Sequence, residues 1–123
     1  MRVAAEQVIE AYKQTRLVPI RDTFLYRKHS MICGCALTAL TCKKNVDFLE
    51  GLAKRTVNDL HLEDEIMSIL ELSIDYIDGF TRGFDGMFNI EGVRCINRED
   101  LEKGYEDGKT VWEAVKVEFN LEN

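Results

Sequence analysis

The sequence predicts an α+β fold, in which a single, mostly helical domain is built with a small antiparallel β-hairpin or three-stranded sheet. Most segments place apolar residues three and four positions apart, which is typical of amphipathic helices. Residues 23–35 are instead rich in β-forming residues around a polar turn. Two helical segments each carry a pair of glycines, which predicts that these two helices pack closely. A length of 123 residues suits one domain spanning residues 1–123.

Composition and charge narrow the class of protein. An apolar fraction of 46% and a charged fraction of 31% are typical of folded globular proteins. No signal peptide or apolar run of membrane-spanning length is visible, so we expect a cytoplasmic protein without a membrane partner. The net charge of −6 is unevenly distributed, because residues 11–58 carry nine bases and three acids whereas residues 59–123 carry six bases and seventeen acids. The two halves could attract each other or present two faces to different partners.

The amino-terminal half predicts a helix, an extended connector, a hairpin and two further helices. An amphipathic helix over residues 3–16 ends before Pro19, and residues 17–22 form an extended connector. Residues 23–27 and 31–35 then form a hairpin. Residues 36–42 predict a short buried helix, after which Asn45 or Asp47 caps a longer helix that continues to Leu60.

The carboxy-terminal half predicts three further helices. The first covers residues 61–72 behind an acidic first turn. Ser73 caps the second, which ends at Gly86 in a left-handed conformation. Residues 87–96 predict a loop with a short strand, Val93 to Ile96, that extends the sheet. Asn97 caps the last helix, with Asp100 at the third helical position as a variant of the capping box.

The glycines of the last two long helices predict a packing seam. A glycine inside a helix costs about 1 kcal/mol relative to alanine, and four cost about 4 kcal/mol against a typical total stability of about 5–15 kcal/mol. Close contact between backbones would offset that cost, as in small-xxx-small helix pairs. The alternative is that the glycines leave a groove for a ligand or a partner helix. The predicted seam consists of Gly79, Phe80, Gly83, Gly104, Tyr105 and Gly108.

Three motifs of the sequence resemble segments of small uncharacterised bacterial proteins. They are Gly-Cys-Ala-Leu-Thr-Ala-Leu at 34–40, Gly-Phe-Thr-Arg-Gly-Phe-Asp-Gly at 79–86 and Gly-Tyr-Glu-Asp-Gly-Lys-Thr-Val-Trp-Glu-Ala-Val at 104–115. The resemblance implies no activity, cofactor or catalytic residue.

The sequence offers candidates for a zinc site and for a cysteine or carboxylate site. Zinc sites usually space paired ligands by two to four residues, whereas Cys33 and Cys35 on a strand would point to opposite faces. The set of Cys33, Cys35, Cys42 and His29 therefore does not predict a zinc site, and no other set predicts a metal or cofactor. The four cysteines, which include Cys95, are therefore interpreted as small reduced core residues. A small enzyme using a cysteine or a carboxylate pair stays open. The available carboxylates are Glu71, Asp75, Asp78 and Asp85.

The leading hypothesis is a non-enzymatic interaction or regulatory protein that contacts another protein, either itself or a second chain. Asp78, Arg82 and Asp85 are the candidate partner-binding residues, although their spacing also suits a surface ion-pair cluster. The alternative is nucleic-acid binding by the basic region 16–55, since bases alternate there with aromatic residues. The candidates for that role are Arg21, Arg27, Lys28, Lys43 and Lys44.

Overall fold

A computed structural model describes residues 2–28, 30–54 and 61–121 of the chain. It is 62% helical with a small three-stranded mixed sheet, which confirms the predicted α+β class. The helices are α1 (Ala5–Thr15), α2 (Ala36–Lys44), α3 (Val46–Gly51), α4 (Leu62–Leu70), α5 (Ile74–Phe84) and α6 (Arg98–Glu118). The strands are β1 (Val18–Pro19), β2 (Leu25–Lys28) and β3 (Met31–Gly34), and a 3-10 turn covers Leu52–Lys54.

The chain divides into two compact units. One is Glu6–Glu71, and the other combines Met1–Ala5 with Leu72–Asn123. The prediction of a single domain over residues 1–123 stays a prediction.

The sheet lies in the unit Glu6–Glu71 and has the strand order β1-β3-β2. Strands β2 and β3 pair antiparallel, with Tyr26 opposite Cys33, which confirms the predicted hairpin. The third strand is β1, paired parallel to β3 with Val18 opposite Cys33. Pro19 is compatible with this place because a proline without an N–H group is tolerated on an edge strand. The prediction that Val93 to Ile96 forms a strand is wrong, since residues 93–95 are irregular and Ile96 lies in a bend.

Helices α1 to α4 belong to the same unit as the sheet, apart from Ala5 at the start of α1. Helix α1 buries Val8, Ala11 and Tyr12, and the Tyr12 hydroxyl donates a hydrogen bond of 2.8 Å to the carbonyl oxygen of Gly34. Asn45 caps α3 by accepting from the N–H of Phe48 at 3.0 Å, as predicted. The α-helix ends at Gly51, earlier than predicted, and the remainder of the predicted helix beyond the 3-10 turn lies outside the described residues.

The second unit contains α5, α6 and the connector between them, residues 85–97. Ser73 caps α5 by accepting from the N–H of Tyr76 at 3.2 Å, as predicted. Gly86 ends the helix with a φ of 84°, and the N–H of Met87 donates to the Arg82 carbonyl at 2.9 Å. This is a Schellman motif, and it confirms the predicted left-handed cap.

Candidate functional site: the connector of the glycine helix pair

Gly79 and Gly104 bring the backbones of α5 and α6 into direct contact. A Cβ atom added at Gly79 would overlap the carbonyl oxygen of Leu101 and lie 2.9 Å from the Tyr105 nitrogen. A Cβ atom added at Gly104 would overlap the carbonyl oxygen of Tyr76 and lie 2.8 Å from the Phe80 nitrogen. The space beside each glycine is therefore occupied by the backbone of the facing helix, and the two glycine-bearing helices pack closely as predicted.

Gly83 and Gly108 repeat the same arrangement one turn further along. Gly83 faces the carbonyl oxygen of Tyr105, and Gly108 faces that of Phe80. Each glycine thus directs a Cα hydrogen at a carbonyl oxygen, the geometry of a weak Cα–H···O contact. Because the contacts advance in the same direction along both helices, α5 and α6 are parallel. The connector must therefore return along the length of α5 before α6 can begin.

Aromatic rings cover the glycine contacts. The ring of Phe80 stacks on those of Tyr76 and Phe84 at centroid distances of 6.3 and 6.1 Å, and Trp112 meets Phe84 edge to face at 5.4 Å. Phe80 is buried, whereas Tyr105 is only half-buried and carries the ammonium of Lys109 5.1 Å from its ring centroid. Of the two aromatic residues predicted beside the glycines, Phe80 therefore belongs to the core and Tyr105 lies at its edge.

Asp75 fixes the end of the connector that enters α6. Its side chain is 7% exposed, and its Oδ2 atom accepts the N–H groups of Ile96 at 2.9 Å and Asn97 at 2.6 Å. The Asn97 side chain accepts from the N–H of Asp100 at 3.2 Å and so caps α6 as predicted. The predicted capping box is wrong in its second half, because Asp75 rather than Asp100 receives the Asn97 N–H. Asp100 instead accepts from the hydroxyl of Ser73 at 2.9 Å.

A second polar network attaches the amino-terminal residues to α5 and α6. The N–H of Val3 donates to the Tyr76 hydroxyl at 2.7 Å, and that hydroxyl donates to Asp107 at 2.5 Å. Arg2 donates to both carboxylate oxygens of Asp107, at 2.8 and 3.0 Å. Burial and the hydrogen bond to Asp107 raise the pKa of Tyr76, so the phenol remains the donor at neutral pH. This network was not predicted from the sequence, where its only local signal is that Asp107 lies directly before Gly108.

The connector exposes large apolar side chains. Phe88 is 95% exposed and Ile96 is 93% exposed. The backbone beside each is nevertheless held, because the Met87 carbonyl accepts from the Tyr105 hydroxyl at 2.6 Å and the Ile96 N–H donates to Asp75. These exposed apolar groups on held backbone make the connector the candidate binding surface within the described residues.

Asp78 and Arg82, two of the three predicted partner-binding residues, lie on α5. The guanidinium of Arg82 contacts the carboxylate of Asp78 at 2.9 Å, with both side chains about one third exposed, at 35% and 36%. Asp85 is the half-buried residue that follows α5. The ion pair that the spacing predicts is therefore present between Asp78 and Arg82.

The five basic candidates for nucleic-acid binding occupy different settings in the unit Glu6–Glu71. Arg27 donates to the Leu52 carbonyl at 3.0 Å, and Lys44 donates to the Ile69 carbonyl at 2.6 Å. Arg21 is half-buried and Lys43 is exposed, while the side chain of Lys28 lies outside the described residues. Two of the five thus bind carbonyl groups of their own chain.

The cysteines and histidines differ in exposure. Cys33, Cys35 and Cys42 are buried thiols, and burial, reinforced by Cys35, raises the pKa of Cys42 to about 12. The Cys42 thiol is therefore protonated at neutral pH and a poor nucleophile. His61 is exposed, and His29 lies outside the described residues. Among the residues that the structure describes, no group of three or more His, Cys, Asp or Glu side chains could hold a metal ion.

Comparison of the chain with protein-family models, with curated proteins and with solved structures gave no match. Within the described ranges, every helix is too short or too polar to cross a membrane.

Proposed function

We propose that this protein is a non-enzymatic interaction protein that binds another protein chain through the apolar side chains of its connector. The observation that supports the proposal is the near-complete exposure of Phe88 and Ile96, at 95% and 93%, beside anchored backbone. Burial of apolar surface contributes roughly 25 cal/mol per Å², and a phenylalanine buries about 150–250 Å². Phe88 alone could therefore contribute several kcal/mol to binding.

The anchored backbone strengthens this interpretation. A binding segment that is disordered before association must be ordered on binding, which costs free energy. Here Tyr105 holds the carbonyl of Met87 and Asp75 holds the N–H of Ile96 before any partner arrives. Protein interfaces commonly place aromatic and methionine side chains at their centre, as Phe88 and Met87 would be.

The test compares the wild-type protein with a connector variant, Phe88→Ser with Ile96→Ser, and with a control, Val46→Ser with Val117→Ser. The control removes two other exposed apolar side chains, at 62% and 78% exposure. Sedimentation velocity measures self-association, and quantitative affinity capture from the producing cells measures other partners. We expect the wild type and the control to share a self-association or a partner that the connector variant loses.

The proposal would be overturned by a wild-type protein that stays monomeric and recovers no partner. It would also be overturned by a connector variant that binds as strongly as the control. Circular dichroism of each variant separates loss of binding from loss of folding.

A further inference from the structure

We infer that the Ile96 loop, residues 94–98, recognises an acidic protein segment that carries a bulky apolar side chain. This inference rests on the proposed function and names the chemistry of the partner. Ile96 is 93% exposed and is flanked by Arg94 and Arg98, which are both exposed. The loop therefore offers one apolar group between two cations.

The two arginines are not used for ion pairs within the described part of the chain. Neither Arg94 nor Arg98 contacts a carboxylate there, although the protein carries 22 acids against 16 bases. The Arg98 guanidinium makes one weak contact, at 3.4 Å, to the carbonyl oxygen of Val93. In an acid-rich chain, two neighbouring arginines without a carboxylate partner are free to bind carboxylates from outside.

The position of Arg98 supports the same conclusion. Arg98 is the first residue of α6, where the helix dipole favours an acid and disfavours a cation. Helix stability therefore gives no reason for an arginine at this position. Glu99 and Asp100 supply the acidic charge of the first turn.

The loop is also held in place before binding. The buried carboxylate of Asp75 accepts both N–H groups at the tip, from Ile96 at 2.9 Å and from Asn97 at 2.6 Å. Ile74, the neighbour of Asp75 in sequence, is 51% exposed and adds apolar surface. The exposed guanidinium groups beside this held backbone can each engage a carboxylate through two parallel hydrogen bonds, which are stronger and more selective than a single contact.

An acidic protein segment suits this loop better than a lipid surface does. A bilayer with anionic lipids extends over the whole protein, and the net charge of −6 would repel it. A short peptide meets only the charges within about 10 Å, the screening length near physiological salt. Its acids therefore meet Arg94 and Arg98 with only the nearby carboxylates opposing them, of which Glu99 is paired with Lys103 at 2.7 Å.

The experiment selects peptides from a random phage-displayed library on the full-length protein. We expect the enriched peptides to combine acidic residues with a bulky apolar residue. Fluorescence anisotropy of one enriched peptide should show roughly tenfold or greater weakening for Arg94→Glu with Arg98→Glu, since hydrogen bonds between charged groups contribute about 1.5–3 kcal/mol. Ile96→Ser should weaken the same peptide, whereas the charge-matched control Lys43→Glu with Lys54→Glu, at exposed positions outside the connector, should leave its affinity unchanged.

The outcomes separate the inference from the proposed function. A selection that yields no peptide dependent on Arg94 or Arg98 overturns the inference. If the selected peptides instead depend on Phe88, the proposed function is supported and the inference about the Ile96 loop is not. Binding to phosphatidylserine vesicles through the two arginines, without peptide binding, would also overturn the inference, because the partner would then be a lipid surface rather than an acidic protein segment. The milder variant Arg94→Gln with Arg98→Gln repeats the test if the charge reversal prevents folding.

Discussion

The α5–α6 pair and the unit Glu6–Glu71 use glycine in opposite ways. In the helix pair, the Cβ position of Gly104 is filled by the backbone of Tyr76 and Phe80. In the other unit, no described atom outside its own helix backbone and its chain neighbours lies within 4 Å of the Cβ position of Gly51, and core space is filled by side chains such as Leu37. The comparison shows that a glycine in a helix is informative only through what faces it.

The largest expected effect on stability is the difference between Gly104→Ala and Gly51→Ala, each of which adds one methyl group. Gly104→Ala forces the backbones of α5 and α6 apart, because neither a carbonyl nor an amide can rotate away as a side chain does. We expect a loss of about 3 kcal/mol or more in the free energy of unfolding. Gly51→Ala should change it by less than about 1 kcal/mol, and in the stabilising direction. Urea denaturation followed by circular dichroism measures both.

Equal stability of the two alanine variants would contradict the close contact of α5 and α6. Gly79→Ala provides a second measurement at the seam, since its Cβ would lie 2.9 Å from the Tyr105 nitrogen. Its loss in the free energy of unfolding should resemble that of Gly104→Ala rather than the small change of Gly51→Ala.

A smaller effect is expected from removing a buried hydroxyl in each unit. Tyr76→Phe leaves the N–H of Val3 without its acceptor and removes the only donor to Asp107 besides Arg2 among the described residues, which should cost about 2 kcal/mol. Tyr12→Phe removes one neutral hydrogen bond to the Gly34 carbonyl, which still accepts from the Ile20 N–H at 3.2 Å. That variant should cost about 1 kcal/mol or less.

Thermal and urea unfolding of the two phenylalanine variants measure this difference. If Tyr12→Phe is the more damaging, the network around Asp107 contributes less than its geometry indicates. Arg2→Ala then serves as a further check, because it removes only the exposed donor to Asp107.

The smallest expected effect is that of Arg82→Ala. The Asp78–Arg82 pair is partly exposed, and such pairs contribute about 0.5 kcal/mol or less to stability. Lys44→Ala in the other unit should cost slightly more, because its ammonium also donates to the Ile69 carbonyl at 2.6 Å. A loss above about 1 kcal/mol for Arg82→Ala would show that the pair contributes to the stability of the fold more than exposed pairs usually do. Unchanged stability with weaker partner capture would support its predicted role in binding.

Local hydrogen bonds were the most predictable features of the fold. Asn45, Ser73 and Asn97 each cap a helix through an N–H three residues away, and Gly86 supplies a left-handed residue for which glycine is suited. These interactions depend on residues close in sequence, so their pattern is visible without a structure. The helical spacing of the seam glycines was visible for the same reason.

Contacts between distant residues could not be predicted in this way. The third strand comes from residues 18–19 rather than 93–96, because strand pairing depends on which segments meet in space. The second partner of the α6 cap is Asp75, twenty-two residues before Asn97. In the sequence, Asp107 is one of many acids on a charged helix, but in the structure it binds Arg2 and Tyr76.

The sequence by itself determined the α+β class, the hairpin, the helix caps and the two paired glycines, because each depends on composition or on neighbours within a few turns. Only the tertiary structure decided that α5 and α6 run parallel and that Asp75 holds the Ile96 loop. It also decided that Phe88 and Ile96 remain exposed, which their apolar character alone does not predict. The physical reason is that burial and long-range hydrogen bonding depend on which surfaces meet once the chain has folded.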